Sequence, residues 1–468
     1  HTRFSRDWSS DVCSSDLISS YVSTSGLVGA VMADGSLGDG SSAVNASATY
    51  LVQALGDISG DILAPAGKTL IRAGGTINAS KIQTDLCDLT SFGGMKVAIT
   101  DITSGVLNTF GSYDGDVNAS NNVAIGSFDG ISSDSMKSSG GSIFVSTQGN
   151  SSINLLSGAK DAVNFVFGNQ KGEIKSVAGN TLAAVFRNID SDVTAGDKIT
   201  LLALQGIKAS IDGKYAQIVA ESYETKSKDT NVENAFYLIK DEMRINSNSI
   251  NVSQNVYIEA GSVQGTGAVN AASGFAALDI YGDLGVKVTA EKEIVAMVRG
   301  DVSEDIESRS GDVFLYADGA ITGDHVRAGG SEKSLTVTAW NGATADFLAP
   351  GGSVNAVIHG DSTGNVAACT DAVLYVWGNI GDSGKSIEAS SGWVYAFAKN
   401  DILSSIDAKK DVAVISGGNV AETVTAQTGY ATVLANGNVA KDVKAGTDVI
   451  IDALGDVTGN VTAYGGKA

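Results

Sequence analysis

Residues 387–463 repeat one short motif: Ile387-Glu-Ala389, Ile406-Asp-Ala408, Val424-Thr-Ala426, Val443-Lys-Ala445 and Val461-Thr-Ala463. The first residues of successive copies lie 19, 18, 19 and 18 residues apart. A second marker, Asp or Asn followed by an aliphatic residue, keeps nearly the same spacing, with its aliphatic member at Ile402, Val420, Val439 and Val457. Two independent markers that share one period indicate a repeat protein.

The repeat continues upstream through most of the chain. The aliphatic position of the first marker recurs at Val366, Phe347, Val326, Ile306, Val288, Val269 and Ile250. Less regular copies follow at Val232, Ile211, Val193, Ile174 and Ile153, and again near the start at Val44, Ile62 and Ile82. The region from about 83 to 152 carries the weakest signal, although Val117-Asn-Ala119 still fits the motif.

Each repeat has the composition of three short strands and three corners. The first strand is aliphatic–polar–Ala, the second alternates apolar residues as in Val412-Ala-Val414, and a Gly-Asp or Gly-Asn corner leads to a third. Both prolines, Pro65 and Pro350, fall three residues after the aliphatic marker, at a corner, where proline is tolerated. The sequence therefore predicts an all-β fold, a parallel β-helix (β-solenoid) with about 19 residues per three-strand coil.

The composition supports this fold and excludes several classes of protein. The chain has 57 Gly and 2 Pro in 468 residues, whereas a typical protein of this length has about 33 and 23. An apolar content of 43% argues against disorder, and the scarcity of proline argues against collagen. A formal charge of −21 disfavours nucleic acid as a partner, and we expect no transmembrane segment. The low aromatic content, 6%, suits a narrow aliphatic core.

The ends of the chain are interpreted separately. The stretch from Asp7 to Leu17 is typical of a translated sequencing adapter, so residues 1–17 are set aside. Residues 18–40 are expected to be an irregular lead-in and residues 41–468 a continuous solenoid, with insertions near 127–142 and 221–244. We expect the protein to be truncated at both ends. With Cys13 set aside, Cys87 and Cys369 are predicted to be small buried side chains rather than metal ligands.

The 19-residue aliphatic–polar–Ala repeat with Gly-Asp-Val corners resembles the filamentous-haemagglutinin-like secreted adhesins of bacteria, and it is similar to autotransporter passenger domains. The resemblance covers most of residues 40–468 and specifies no binding residue. It implies a right-handed β-helix that is exported to the cell surface with the help of an outer-membrane translocation partner. On this basis we expect a non-enzymatic structural or adhesive segment of a large secreted or cell-surface bacterial protein, in contact with cell-surface glycans or proteins.

Two other functions remain open. A carbohydrate-active β-helix enzyme, such as a polysaccharide lyase or hydrolase, needs clustered carboxylates on one outward face. Here the acidic residues fall mostly at corners, as in Asp301, Asp401 and Asp456, while His325 and His359 are expected about two coils apart. We therefore predict no catalytic residues, no cofactor and no metal site, although corner Asp residues could bind calcium weakly. A purely architectural spacer is the third possibility.

Trp393, Tyr395 and Phe397 are the candidate glycan-contact residues. If Val394 and Ala396 face inward, these three rings form an exposed stripe that can stack on sugars. The competing interpretation is that some of the rings fill the core or cover a corner. The sequence favours this second interpretation, because the same phase would turn Val373, Tyr375 and Trp377 inward.

Overall fold

Alternate side chains of each short strand are buried, and this period of two shapes the fold. In Val394–Ala398 the side chains of Val394, Ala396 and Ala398 are fully buried, while Tyr395 and Phe397 point outward. One such strand cannot cover its own apolar face, so it is stable only when turns stack on one another. The computed structural model describes residues 12–13, 22–23, 26–38, 40–226 and 228–468. Over these residues the chain is all-β without a helix, a parallel β-solenoid of about 23 turns with about 19 residues between bridged residues, which confirms the predicted fold class.

The chain divides into two units, His1–Lys226 and Ser227–Ala468. The described strands of the first unit are β1 (Val12–Cys13), β2 (Val22–Ser23), β3 (Leu27–Ala33), β4 (Ser42–Asn45), β5 (Ala48–Ala54), β6 (Ile58–Ser59), β7 (Asp61–Ala73), β8 (Ile77–Ser91), β9 (Met95–Ile102), β10 (Ser104–Thr109), β11 (Ser112–Asp114), β12 (Val117–Ala119), β13 (Val123–Ser127), β14 (Gly130–Ser138), β15 (Ile143–Thr147), β16 (Asn150–Ser157), β17 (Ala162–Val166), β18 (Gln170–Lys171), β19 (Ile174–Ser176), β20 (Thr181–Val185), β21 (Ile189–Ala195), β22 (Lys198–Ala203), β23 (Gly206–Ala220) and β24 (Ser222–Thr225).

Three parallel sheets form the sides of the first unit. The first sheet holds the aliphatic–polar–Ala motif, the second holds the longer alternating strands, and the third holds strands such as β11 and β18. Several strands run through a corner from one sheet to the next. One of them is β7, whose register shifts between Ala64 and Lys68, and Pro65 lies in this break. The prediction that proline occupies a corner is confirmed there, and also at Pro350, which lies in a turn.

The strands of the second unit are β25 (Thr230–Ile245), β26 (Ile250–Val252), β27 (Val256–Gly265), β28 (Ala268–Ala271), β29 (Ala276–Ile280), β30 (Lys287–Ala290), β31 (Ile294–Val298), β32 (Ile306–Ser308), β33 (Val313–Ala317), β34 (His325–Ala328), β35 (Leu335–Ala339), β36 (Asp346–Ala349), β37 (Val354–Ile358), β38 (Val366–Ala368), β39 (Ala372–Val376), β40 (Ser386–Ala389), β41 (Val394–Ala398), β42 (Ser405–Ala408), β43 (Val412–Ser416), β44 (Val424–Ala426), β45 (Ala431–Ala435), β46 (Val443–Ala445), β47 (Val449–Ala453) and β48 (Val461–Ala463).

Pairing in the second unit follows the predicted repeat. Ile387 pairs with Ile406, which pairs with Val424, and the same register continues to Val443 and Val461. The third strand of each coil is a correction to the prediction. From β27 onward the third side of a turn consists of single bridged residues, for example Ile402 with Val420. Aspartate and asparagine side chains hold this side together, as described below.

The core is mainly Val, Ile and Ala, as expected, but it also accepts large rings. Tyr113, Tyr223, Tyr237 and Phe347 are fully buried. The hydroxyl of Tyr113 donates to the Val97 carbonyl at 3.2 Å, which satisfies the polar atom inside the stack. The expected narrow aliphatic core therefore also holds single large rings at inward positions.

The cysteines Cys87 and Cys369 differ in burial. Cys87 is buried, as predicted, and burial, aided by the nearby charge of Asp88, raises the pKa of its thiol. Cys369 is only half-buried, so the prediction of a buried side chain is wrong for this residue. It follows a first-sheet strand at a corner, where alternation no longer turns side chains inward.

The terminal segment and the expected insertions contain strands where they are described. Within residues 1–17, Val12–Cys13 pairs with Ala30 and Val31, and the rest of this segment lies outside the described residues. The stretch 127–142 includes β14, which pairs with β11, β12 and β16. The stretch 221–244 includes β24 and most of β25, and the boundary between the two units falls inside it.

Candidate functional site

The three rings singled out from the sequence lie on the outward face of the second sheet. Trp393 precedes β41 and is 39% exposed, and the side chains of Tyr395 and Phe397 are half-buried on the same outer face. Val394 and Ala396, between them, are fully buried. Alternate residues of a strand are about 6.6 Å apart, so the three rings form a row along β41.

The neighbouring strand adds two more outward rings. Tyr375 and Trp377 are 41% and 43% exposed, so the expectation that they turn inward is wrong. The register shows why, because Leu374 pairs with inward Ala396 and Tyr375 therefore lies beside Phe397. The centroid of Tyr375 is 5.2 Å from that of Tyr395 and 6.3 Å from that of Phe397, with the planes tilted by 45° and 39°.

A stack of three rings continues the cluster across two further turns. The imidazole of His359 lies between two indoles, 3.9 Å from Trp340 and 4.3 Å from Trp377 between centroids, with planes within 5° of parallel. All three residues occupy the position just after a second-sheet strand. Their backbone N–H groups donate to Ala317, Ala339 and Ile358 on the preceding turn. This stack was not predicted from the sequence, although its spacings of 19 and 18 residues match the repeat.

We call this outer surface the aromatic platform: Trp340, His359, Tyr375, Trp377, Trp393, Tyr395 and Phe397. Its rings pack against one another in two ways, parallel and tilted. The parallel stack of Trp340, His359 and Trp377 covers most of its own ring faces, whereas the tilted rings around Tyr375 leave parts of their faces open. Since a sugar packs its C–H groups on a ring face, the tilted rings are the ones suited to such contact.

Polar groups flank the platform and supply hydrogen-bonding capacity. The hydroxyl of Tyr316 donates to the Asp318 carboxylate at 2.7 Å, and this hydrogen bond is the main reason why the pKa of Tyr316 lies above its usual value. Burial, followed by the neighbouring Tyr375 hydroxyl, raises the pKa of Tyr395. These phenols therefore stay protonated and able to donate at neutral pH.

Acidic and amide side chains at the third side form ladders that link successive turns. Asp361 accepts the backbone N–H of Asn379 at 2.7 Å, and Asn379 accepts that of Asp401 at 3.1 Å. The ladder continues in the same way. Asp401 accepts the backbone N–H of Asn419 at 2.6 Å, Asn419 accepts that of Asn438 at 2.8 Å, and Asn438 accepts that of Asp456 at 2.7 Å. These carboxylate and amide side chains thus have a structural role, since each satisfies a backbone donor of the next turn.

The residues considered for catalysis or metal binding are held apart. His325 lies on the first sheet, where its Nδ1 is 3.5 Å from Asp305 and its Nε2 is 3.9 Å from Glu307. His359 belongs to the platform on the second sheet. Within the described residues no group of three or more His, Cys, Asp or Glu side chains is placed to hold a metal ion, and no helix there could span a membrane.

Comparison with known proteins gives no further evidence about this site. No protein-family model matches it, and neither a curated protein nor a solved structure is significantly similar to it.

Proposed function

We propose that this chain is the non-enzymatic, adhesive segment of a secreted bacterial surface protein and that its aromatic platform binds glycans. The observation that carries the proposal is the grouping of seven outward rings over four consecutive strands, β35, β37, β39 and β41. Large exposed aromatic patches are uncommon on proteins without a partner and mark interaction sites.

The arrangement suits a glycan better than an apolar partner. The row along β41 offers rings about 6.6 Å apart, and the tilted Tyr375 and Tyr395 expose ring faces together with hydroxyl groups. Each sugar–ring contact contributes on the order of 1 kcal/mol, so several contacts along one chain are needed for useful affinity. A linear oligosaccharide lying along β41 can meet Trp393, Tyr395 and Phe397 in succession.

A glycan array probed with the full chain tests this proposal, followed by calorimetry with the best oligosaccharide. Trp393→Ala and Tyr395→Ala should each weaken binding about fivefold, since each removes one ring contact. Tyr430→Ala is the matched control. Tyr430 occupies the slot of Trp393 two turns further on, is 54% exposed, and its N–H is accepted by Asp411 as that of Trp393 is by Asp371.

Three outcomes would contradict the proposal. If no glycan is retained, the architectural spacer is the better interpretation. If an acidic polysaccharide is cleaved with turnover, the chain is a carbohydrate-active enzyme. If Tyr430→Ala weakens binding as much as Trp393→Ala, the glycan contacts another part of the surface.

Export is the second part of the proposal and needs a separate experiment. The resemblance of the repeat to exported adhesins supports an outer-membrane translocation partner and a location at the cell surface. Labelling of intact producing cells with an antibody against this chain should give a surface signal that added protease removes. A signal that appears only after lysis would contradict this part.

A further inference from the structure

The first unit carries a second aromatic surface, of different character. On the outward side of the second sheet, the position just after each strand holds Phe92, Phe110, Phe128, Phe167 and Phe186, each between 51% and 63% exposed. Their backbone N–H groups donate to the preceding turn, so they stand in line, with Gln148 between Phe128 and Phe167. We call this line the phenylalanine ridge.

Most of the surface around the ridge is free of charge. In each of the six strands β10, β13, β15, β17, β20 and β22, taken with the position that follows it, the last three outward positions are considered, from Val106 to Leu204. None of these positions holds Asp, Glu, Lys or Arg, in a chain with a formal charge of −21. Charged residues border these positions: Asp88 lies beside Val106, Asp161 precedes β17, and Lys198 is the outward first residue of β22. An uncharged apolar centre with a polar rim is the composition of a protein–protein interface.

The ridge does not suit a sugar. Phe92 and Phe110 stack with centroids 5.0 Å and planes 2° apart, and Phe167 and Phe186 stack at 4.7 Å and 16°. Within each of these two pairs the facing ring surfaces are closed to a sugar, while the ring edges stay exposed. Edges of this kind pack against other apolar side chains.

A groove accompanies the ridge on the same face. It has a volume of about 690 Å³ and runs along the beginnings of the strands. Its lining is mainly apolar and includes Leu70, Leu86, Val106, Ala124 and Phe144, with Lys68 and Asp88 at one end. Val106 and Phe110 are four residues apart on one strand, which sets the groove about 13 Å from the ridge. The face is thus raised along one edge and recessed along the other.

We propose that this face is where a second copy of the chain binds, with the ridge of each copy in the groove of the other. A two-fold axis that lies in the plane of the face and runs parallel to the ridge exchanges its two edges, so one patch is complementary to itself, as a symmetric dimer requires. The face measures about 30 by 20 Å, so two copies would bury roughly 1,200 Å², at the lower limit for a specific interface. Apart from Lys68 and Asp88, which line one end of the groove, the contact is uncharged, so the acidic surfaces of the two copies do not meet there.

Sedimentation equilibrium of the full chain over a wide concentration range tests the proposal. We expect a reversible monomer–dimer equilibrium. Phe110→Lys should raise the dimer Kd about a hundredfold, since it places an unpaired charge in the contact. Ala124→Lys should do the same from the groove, without removal of a ring. Asn118→Lys is the matched control, because Asn118 is exposed on the first sheet of the same turn and should leave the Kd unchanged.

Circular dichroism and thermal unfolding show whether each variant is folded, and both substituted side chains lie outside the core. The proposal is overturned if the native chain stays monomeric, or if the dimer persists in Phe110→Lys. Loss of the dimer in Phe110→Lys alone would overturn the ridge-in-groove arrangement. Binding of a polysaccharide or a phosphatidylcholine vesicle to a monomer, abolished by Phe110→Lys, would assign the face to another partner. The Trp393→Ala variant should dimerise normally. The dimer proposal and the glycan-binding proposal can therefore be contradicted separately.

Discussion

The imidazole of His359 lies flat against the indole of Trp377, with centroids 4.3 Å apart and planes 3° from parallel. The two residues are 18 positions apart in sequence and occupy the same slot on adjacent turns. Stacked coils thus convert a sequence period into a surface row, and a chain with only 6% aromatic residues gathers its rings into continuous outer surfaces.

Removal of the central ring of this stack should destabilise the second unit. His359→Ala leaves the faces of Trp340 and Trp377 without a partner, at a cost of about 1 kcal/mol, whereas His359→Phe should retain most of the stability. Urea unfolding followed by tryptophan fluorescence reports on this unit, which holds three of the four tryptophans. Equal unfolding midpoints for the native chain and His359→Ala would show that the stack contributes nothing to stability.

The ladder of the third side should depend on acceptors rather than on charge. Asp401 accepts the backbone N–H of Asn419 at 2.6 Å, so Asp401→Ala should lower the free energy of unfolding by about 1–3 kcal/mol. Asp401→Asn keeps an acceptor and should lower it by less than about 0.5 kcal/mol. Asp324→Ala, at an exposed carboxylate in the same unit, is the control. A large loss in Asp401→Asn would mean that the negative charge itself is required.

Acid should weaken the second unit in part through Asp346. Burial, which alone would raise the pKa, is outweighed by hydrogen bonds from the backbone N–H and side chain of Asn365 and by Lys385 at 3.5 Å, so the pKa of Asp346 lies below its usual value. A lowered folded-state pKa gives stability that is fully present above the unfolded value of about 3.9 and is lost as the pH falls through the folded value.

Urea midpoints measured from about pH 6 down to pH 2 check this expectation. The native chain should lose stability more steeply than Asp346→Asn below about pH 4, and the two should run parallel above it. Parallel curves over the whole range would rule out a contribution from this carboxylate.

Substitution by alanine should destabilise the protein more at Phe347 than at Phe314. Phe347 is fully buried between Val326 and Val366, so Phe347→Ala should cost about 3–5 kcal/mol and Phe347→Val less. Phe314 is 45% exposed, and Phe314→Ala should cost about 1 kcal/mol or less. Chemical denaturation of the four proteins gives these values, and similar losses for the two alanine variants would contradict the assigned inward and outward positions.

The register of the second unit could be predicted from the sequence, whereas the candidate site could be predicted only in part. The aliphatic–polar–Ala motif fixed the pairing of Ile406 with Val424, because only one residue of the three is large and apolar. The stretch Val373-Leu-Tyr-Val-Trp377 is apolar at every position, so alternation alone cannot show which side faces the core. The register of the first unit was harder to predict from the sequence, because its strands run through corners and the repeat is therefore less regular.

The sequence by itself determined that this chain forms a parallel β-solenoid with about 19 residues per turn, since the repeated aliphatic positions can be buried only by stacking on their own copies. The tertiary structure decided which rings face outward and which of them meet. Leu374 must lie against Ala396 in the core, and this pairing turns Tyr375 and Trp377 to the surface beside Phe397 and His359. Side-chain direction in a strand that is apolar on both faces is set by its neighbours on the adjacent turns.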